Sequence, residues 1–116
     1  MIINARTKEI LTSEVNFAKT FLEKALGLMF SNENKNKGLV FIFNKEKIIS
    51  LHMMFVFYPI DILWLDKNKE VVEMKHNLRP FTFYYPKKKA QYVIEVSTNK
   101  IKKVKIGDKI LFSKRI

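Results

Sequence analysis

Residues 51–66 read LHMMFVFYPIDILWLD and form the most apolar stretch of the chain. They include the single Trp, one of the two His, and Asp61, a carboxylate set among apolar neighbours. Burying a carboxylate in such surroundings is unfavourable unless hydrogen bonds or a cation compensate it. We therefore expect Asp61 to be largely buried and to accept hydrogen bonds from backbone N–H groups at the break after Pro59, or to contact a cation.

The same stretch predicts two strands separated by Pro59, because proline interrupts the hydrogen-bonded ladder of a sheet. The strands cover residues 48–57 and 60–65. The polar residues 66–69 then predict a turn, and residues 70–74 begin the return strand of a hairpin.

Short strands account for most of the remaining chain. Alternation of apolar and polar side chains, or β-branched and aromatic content, predicts them at residues 9–18, 38–43 and 90–97. Residues 100–112 read as a strand, a tight turn and a closing strand. The expected fold class is α+β, mostly β: a curled antiparallel or mixed sheet, or a small barrel, with one short helix.

One helix is expected to begin at Thr20. Thr20 and Glu23 have the spacing of a capping box, in which each side chain accepts a hydrogen bond from the other residue's backbone. Gly27 is a suitable C-terminal stop, and a competing interpretation starts the helix near Asn16, since Ala18 continues the apolar stripe. The apolar residues at helical spacing are Phe21, Leu22, Ala25 and Leu26.

Length and composition limit the class of protein. The 116 residues are 47% hydrophobic, which suits a single domain over residues 1–116. With no Cys, and with His52 and His76 not at metal-ligand spacing, no disulfide, metal or cofactor is expected. The N-terminus shows no basic segment followed by an apolar one, and the run from Leu51 is too short to span a bilayer. We expect a cytoplasmic protein without membrane contact.

The formal net charge of +11 is typical of proteins that bind nucleic acid. A lysine-rich composition that keeps the surface soluble explains the same charge, and lysines occur in nearly every predicted turn. We therefore expect the positive charge to be spread over the surface rather than gathered in one groove. Nucleic acid is kept as an alternative partner, and the residues carry no signal of oligomeric state.

The candidate ligand-binding residues surround the apolar stretch. His52 lies on it, Met29 precedes a polar loop, and Tyr84 and Tyr85 stand directly before three lysines at residues 87–89. Aromatic side chains beside cations bind sugars or single-stranded nucleic acid. No phosphate loop, dinucleotide-binding glycine pattern or GxSxG motif is present, so the enzyme classes with these motifs are not indicated.

Three segments resemble, in order and spacing, the uncharacterised family catalogued as domain of unknown function 192. They are GLM at 27–29 with GLVFIF at 38–43, Met53 with PIDILWLD at 59–66, and AQYVIEV at 90–96 with IGDK at 106–109. The resemblance implies a compact, mostly β fold with a short helix, and no established activity. The positions that match include Asp61, Glu95 and Asp108. His52, Met54 and Phe55 replace the Trp, Lys and Asn common in that family, and residues 97–99 lack its usual Gly.

These features predict a small soluble binding or accessory domain with an unknown small-molecule ligand. The expected site is formed by His52, Asp61 and Met29, with Tyr84 or Tyr85 nearby, because small-ligand sites usually place a polar group in an apolar concavity. Two alternatives stay open. One is an enzyme that uses Asp61 as acid or base with His52 as its partner, and the other is a basic nucleic-acid-binding module.

Overall fold

A computed structural model describes residues 1–20, 23–24 and 27–113, and most of its regular structure is short strands. Numbered in chain order, the strands are β1 Ile2–Asn4, β2 Ile10–Thr12, β3 Glu14–Ala18, β4 Lys37–Lys47, β5 Leu51–His52, β6 Ile60–Leu65, β7 Val71–Leu78, β8 Phe83–Tyr84, β9 Ala90–Ser97 and β10 Ile110–Phe112. They form sheets of five, three and two strands. The expectation of a mostly β domain is confirmed, and within the described residues no sheet closes into a barrel.

The five-stranded sheet has the strand order β3-β4-β9-β6-β7. β3 pairs with β4 in parallel and every other neighbouring pair is antiparallel, so the sheet is mixed. The predicted β6–β7 hairpin is confirmed. The Asp66 carboxylate accepts hydrogen bonds from the N–H groups of Asn68 and Glu70, and Lys69 has a φ of 65°.

Two hydrophobic clusters pack on opposite faces of this sheet. Because side chains alternate along a strand, Leu63 and Leu65 of β6 enter one cluster, whereas Ile62 and Trp64 enter the other. The three-stranded sheet β10-β1-β2 covers the first cluster and contributes the fully buried Ile2. The loops that follow β3 and β4 cover the second cluster, and the candidate site lies beneath them.

The prediction of one strand over residues 48–57 is wrong, since only Leu51–His52 are strand and they pair with β8. Met53 lies where two loops meet: its N–H donates to the Thr82 carbonyl, and its own carbonyl accepts from the Phe81 N–H. Phe55 adopts a left-handed φ of 58°, which lies outside the range of regular strand backbone. Contacts between loops, rather than local propensity, decide the backbone here.

Two other elements differ from the expectation. Residues 100–104 contain no strand; Ile101 and Val104 insert into the first cluster, and the Val104 N–H donates to the Ile101 carbonyl in a turn. β1 was not expected, yet it pairs with both β2 and β10. It is too short for an alternating pattern to be recognised in the sequence.

The predicted capping box is confirmed. Thr20 Oγ1 accepts from the Glu23 N–H at 3.1 Å, and the Glu23 carboxylate accepts from the N–H groups of Thr20 at 3.0 Å and Lys19 at 2.9 Å. Glu23 and Lys24 are helical, and Gly27 has a left-handed φ of 49°. The apolar residues of the expected helical stripe, Phe21, Leu22, Ala25 and Leu26, lie outside the described residues.

Within the part of the chain that the structure describes, no helix has the length and apolar character needed to cross a membrane.

Candidate functional site

Asp61 is only 2% exposed and accepts two backbone hydrogen bonds. Its Oδ1 accepts from the Asn77 N–H at 2.8 Å and its Oδ2 from the Asn99 N–H at 3.0 Å. Both asparagines have left-handed φ values, 54° and 70°. His76 Nδ1 lies 4.0 Å from Oδ2 and is the ion-pair neighbour of Asp61. The expectation that Asp61 is buried and held by backbone donors is confirmed, since each of its oxygens accepts a hydrogen bond from a backbone N–H group.

A second buried carboxyl group, that of Glu95, is positioned quite differently. Glu95 lies in β9, where it pairs with Leu39 of β4 and Ile62 of β6, and it is 6% exposed. None of the described residues forms a hydrogen bond with its carboxyl oxygens. Burial raises the pKa of Glu95 to about 8, because the ionised form loses its hydration and gains no compensating donor. The carboxyl is therefore mainly protonated at neutral pH.

Glu95 lines a cavity of about 440 Å³ that has an apolar floor and a polar rim. The floor is formed by buried side chains from β4 and the segment after it, namely Phe41, Ile49, Leu51, Met53 and Val56. The rim contains the exposed Lys47, Ser50 and His52 together with the partly buried Lys24. A volume of this size, with few polar groups on apolar walls, is typical of small-molecule sites.

A second cavity of about 270 Å³ adjoins the first, because Gly27, Leu28 and Glu95 line both. Its lining is more polar and includes Tyr58, whose hydroxyl is 2.7 Å from the Ser31 hydroxyl. Burial raises the pKa of Tyr58, although the hydrogen bond with Ser31 opposes this effect. The Glu95 carboxyl thus lies at the boundary between an apolar chamber and a polar one.

Two lysines flank one aromatic ring at the rim of the larger cavity. The Nζ atoms of Lys24 and Lys47 lie 4.1 Å and 4.7 Å from the centroid of the Phe43 ring. Neither ammonium group forms an ion pair with a carboxylate of the described residues. Partial burial, and then the charge of Lys47, hold the pKa of Lys24 below its ordinary value. The rim therefore presents two positive charges without an anionic partner.

The structure brings only part of the expected site together. His52 and Met29 both line the larger cavity. Asp61 lines neither of the two cavities, and it lies beside His76 rather than His52. The Tyr84 hydroxyl donates to the Glu73 carboxylate at 2.7 Å and its ring packs on Trp64, while Tyr85 is 73% exposed.

Glu95 is the residue that the sequence reasoning did not select. A signal was present, because Glu95 is the only charged residue in β9, AQYVIEVS, and a central strand has little water on either face. Alternation places Glu95 on the same strand face as Val93 and Gln91. Two of these three residues are polar, so the sequence pattern suggests a partly solvated face. The feature that makes Glu95 a candidate site residue is the cavity, which is formed by loops whose positions the sequence does not reveal.

Solved structures with a similar fold come from two bacteria. A protein of unknown function from Novosphingobium aromaticivorans DSM 12444 superposes with a TM-score of 0.77 at 23% identity, covering 84% of this chain and 74% of that one. A candidate transcription regulator from Sinorhizobium meliloti 1021 superposes with a TM-score of 0.78 at 20% identity, covering 84% and 79%. At these identities the similarity establishes the fold alone.

Sequence similarity establishes the family. The UPF0127 protein of Thermococcus sibiricus is 40% identical over 114 residues, which cover 95% of this chain and 73% of that protein. The profile of the DUF192 family, described as "Uncharacterized ACR", matches residues 2–112. The resemblance inferred from the three sequence segments is confirmed, and the chain belongs to the DUF192 family.

Proposed function

We propose that this protein is a small-molecule binding domain whose ligand occupies the cavity lined by Glu95. The observation that supports the proposal is a buried carboxyl group without a hydrogen-bond partner in the described residues, located between two adjoining cavities. Glu95 lines both cavities, so a polar atom of a ligand can reach its carboxyl oxygens. A ligand with a polar atom near Glu95 would supply the missing partner.

Binding is favoured over acid–base catalysis with Asp61. Both oxygens of that carboxylate already accept backbone hydrogen bonds, and Asp61 does not line either cavity. A nucleic-acid partner loses one of its two expected stacking residues, because the Tyr84 ring packs on Trp64, while Tyr85 is 73% exposed and still available to it. The cytoplasmic location expected from the sequence is part of this proposal, and cell fractionation would test it.

Methionine methyl groups provide a direct test of ligand binding. Met29 and Met53 line the larger cavity, whereas Met74 packs against the first hydrophobic cluster on the other face of the sheet. In protein labelled with [methyl-¹³C]methionine, octan-1-ol should shift the Met29 and Met53 signals with saturation and leave Met74 nearly unchanged. Equal shifts of all three signals, or none, would contradict the proposal.

A matched pair of variants tests whether octan-1-ol binds in the larger cavity. Ser50→Trp adds an indole at the exposed edge of the cavity and should weaken octan-1-ol binding. Ser13→Trp makes the same change at an exposed serine that lines neither cavity, and it should leave binding unchanged. Equal effects of the two variants would place the bound alcohol elsewhere.

A further inference from the structure

We infer that the ligand of this cavity is an amphiphilic anion, with its acidic headgroup held by Lys24 and Lys47 and its apolar body on the cavity floor. This inference rests on the proposed binding function and adds the chemical class of the ligand. Its basis is the arrangement of charge along the cavity, from a cationic rim to an apolar floor.

The charge at the rim is unbalanced. The ammonium groups of Lys24 and Lys47 both contact the Phe43 ring. No carboxylate of the described residues pairs with either of them. The two ammonium groups repel each other, and an anion bound at this rim offsets that repulsion. The Phe43 ring also orients the two side chains, so less conformational entropy is lost when an anion binds.

The floor selects the rest of the ligand. Phe41, Ile49 and Val56 present hydrocarbon surface, and burial of an alkyl or aryl group there is favourable because it removes apolar surface from water. Apart from the rim, the only ionisable group among the described residues that line this cavity is Glu95, which is mainly neutral near pH 7 and then donates one hydrogen bond. An apolar chain that carries one hydrogen-bond acceptor therefore complements this end of the cavity.

Other ligand classes fit this arrangement less well. A metal ion would face two ammonium groups at the rim, and within the described residues no three His, Asp or Glu side chains converge to hold one. A fully polar anion such as free phosphate would leave the apolar floor unoccupied. An uncharged apolar ligand would leave the two lysines unpaired.

Octanoate and octan-1-ol have the same chain length and differ at the headgroup, so they separate charge recognition from apolar binding. The titrations follow the Met29 and Met53 methyl signals at pH 7, with Met74 as the internal reference, in wild type, Lys47→Gln and Lys102→Gln. Lys102 is an exposed lysine that lines neither cavity, so its variant makes the same change in net charge. Wild type should prefer octanoate, and Lys47→Gln should weaken octanoate binding about fivefold, as expected for a partly exposed ion pair.

Under the inference, octan-1-ol affinity changes little in either variant, and Lys102→Gln retains wild-type affinity for octanoate. Equal affinity for the two probes in wild type, or equal effects of the two lysine variants on octanoate, would overturn the inference while leaving the proposed binding function intact. If neither probe shifts Met29 and Met53 relative to Met74, the proposed function fails as well.

Discussion

At the scale of single residues, Asp61 stabilises the backbone at two residues whose conformation is rare for residues other than Gly. Asn77 lies at a bulge in β7 and Asn99 in the turn after β9, and both have positive φ, which Asn tolerates better than most residues. The carboxylate binds both of their N–H groups.

We expect Asp61→Asn to lower stability without affecting the cavity. An amide has a single acceptor oxygen, so one of the two N–H groups would face an NH₂ group, at a cost of about 2 kcal/mol. Urea unfolding at pH 7 measures the loss, and octan-1-ol affinity should be unchanged. His76→Gln is the control, since the His76 side chain is 56% exposed and should contribute little. Loss of binding at unchanged stability would assign Asp61 to the functional site instead.

Glu95 makes the stability of the protein depend on pH in a predictable direction. Its pKa rises from 4.5 to about 8 on folding, so between these values the folded state binds a proton that the unfolded state has released. Stability therefore falls as pH rises through this range, by up to about 1.4 kcal/mol for each pH unit. Below pH 4.5 both states are protonated, and the favourable contribution is fully present.

Replacing Glu95 with Gln should remove this dependence. Glu95→Gln keeps the shape of the neutral side chain, so it should match wild type near pH 4.5 and be the more stable protein at pH 9. Urea unfolding at both values measures the difference, and Glu33→Gln, at an exposed residue, serves as the control. A constant difference between Glu95→Gln and wild type across this range would show that Glu95 does not titrate as described.

At the scale of elements, the capping box gives a quantitative expectation. Thr20→Ala removes the acceptor for the Glu23 N–H and should cost about 1 kcal/mol in urea unfolding. Thr20→Ser keeps the hydroxyl and should restore most of the loss. If Ala and Ser variants unfold at the same urea concentration, the capping hydrogen bond does not contribute to stability.

The sequence predicted elements well where local pattern and tertiary packing agree. Strands β6 and β9 were predicted with their observed bounds, because their side chains are buried on both faces and their ends carry Pro, Asp or polar residues. The failure at residues 53–57 of the predicted strand has a specific cause. Phe55 stacks on Phe30 with ring centroids 5.0 Å apart and meets Phe81 at 5.9 Å.

All three of these phenylalanines have left-handed φ values, between 58° and 60°. A local rule assigns such a backbone to Gly or Asn, not to Phe. Ring contacts among three loops that are distant in sequence hold the strained conformation, and no local pattern reveals such contacts. Two of these loops, those that carry Phe30 and Phe55, also contribute Met29 and Val56 to the cavity, which explains why Met29 and His52 could be proposed from the sequence while their relation to Glu95 could not.

At the scale of the whole molecule, Asp108 connects the two ends of the described chain. Its carboxylate accepts hydrogen bonds from Arg6 Nε at 2.6 Å, Asn4 Nδ2 at 3.0 Å and the Lys105 N–H at 2.8 Å. Asn4 belongs to β1, and Asp108 lies in the turn before β10, which pairs with β1. One buried side chain thus links the N-terminal strand to the turn that leads into its neighbour β10.

Asp108→Asn should therefore destabilise the whole fold, and the effect should depend on pH in the opposite sense to that of Glu95. Chiefly the hydrogen bond from Arg6 lowers the pKa of Asp108 from 3.8 to about 2. The stabilisation is present above pH 3.8 and is lost as pH falls through about 2, where the carboxylate is protonated in both states. At pH 7 the variant should lose about 2 kcal/mol or more, because the single amide oxygen of Asn cannot accept from all four donor atoms of Asn4, Arg6 and Lys105. Urea unfolding should show a single transition shifted to lower urea, and the difference in stability from wild type should narrow as pH falls below 3.8.

The control is Arg6→Gln, which should lose less stability, since the Asn4 and Lys105 donors remain. A gap that stays constant down to the lowest pH at which wild type folds would mean that the charge of Asp108 does not hold the two ends together.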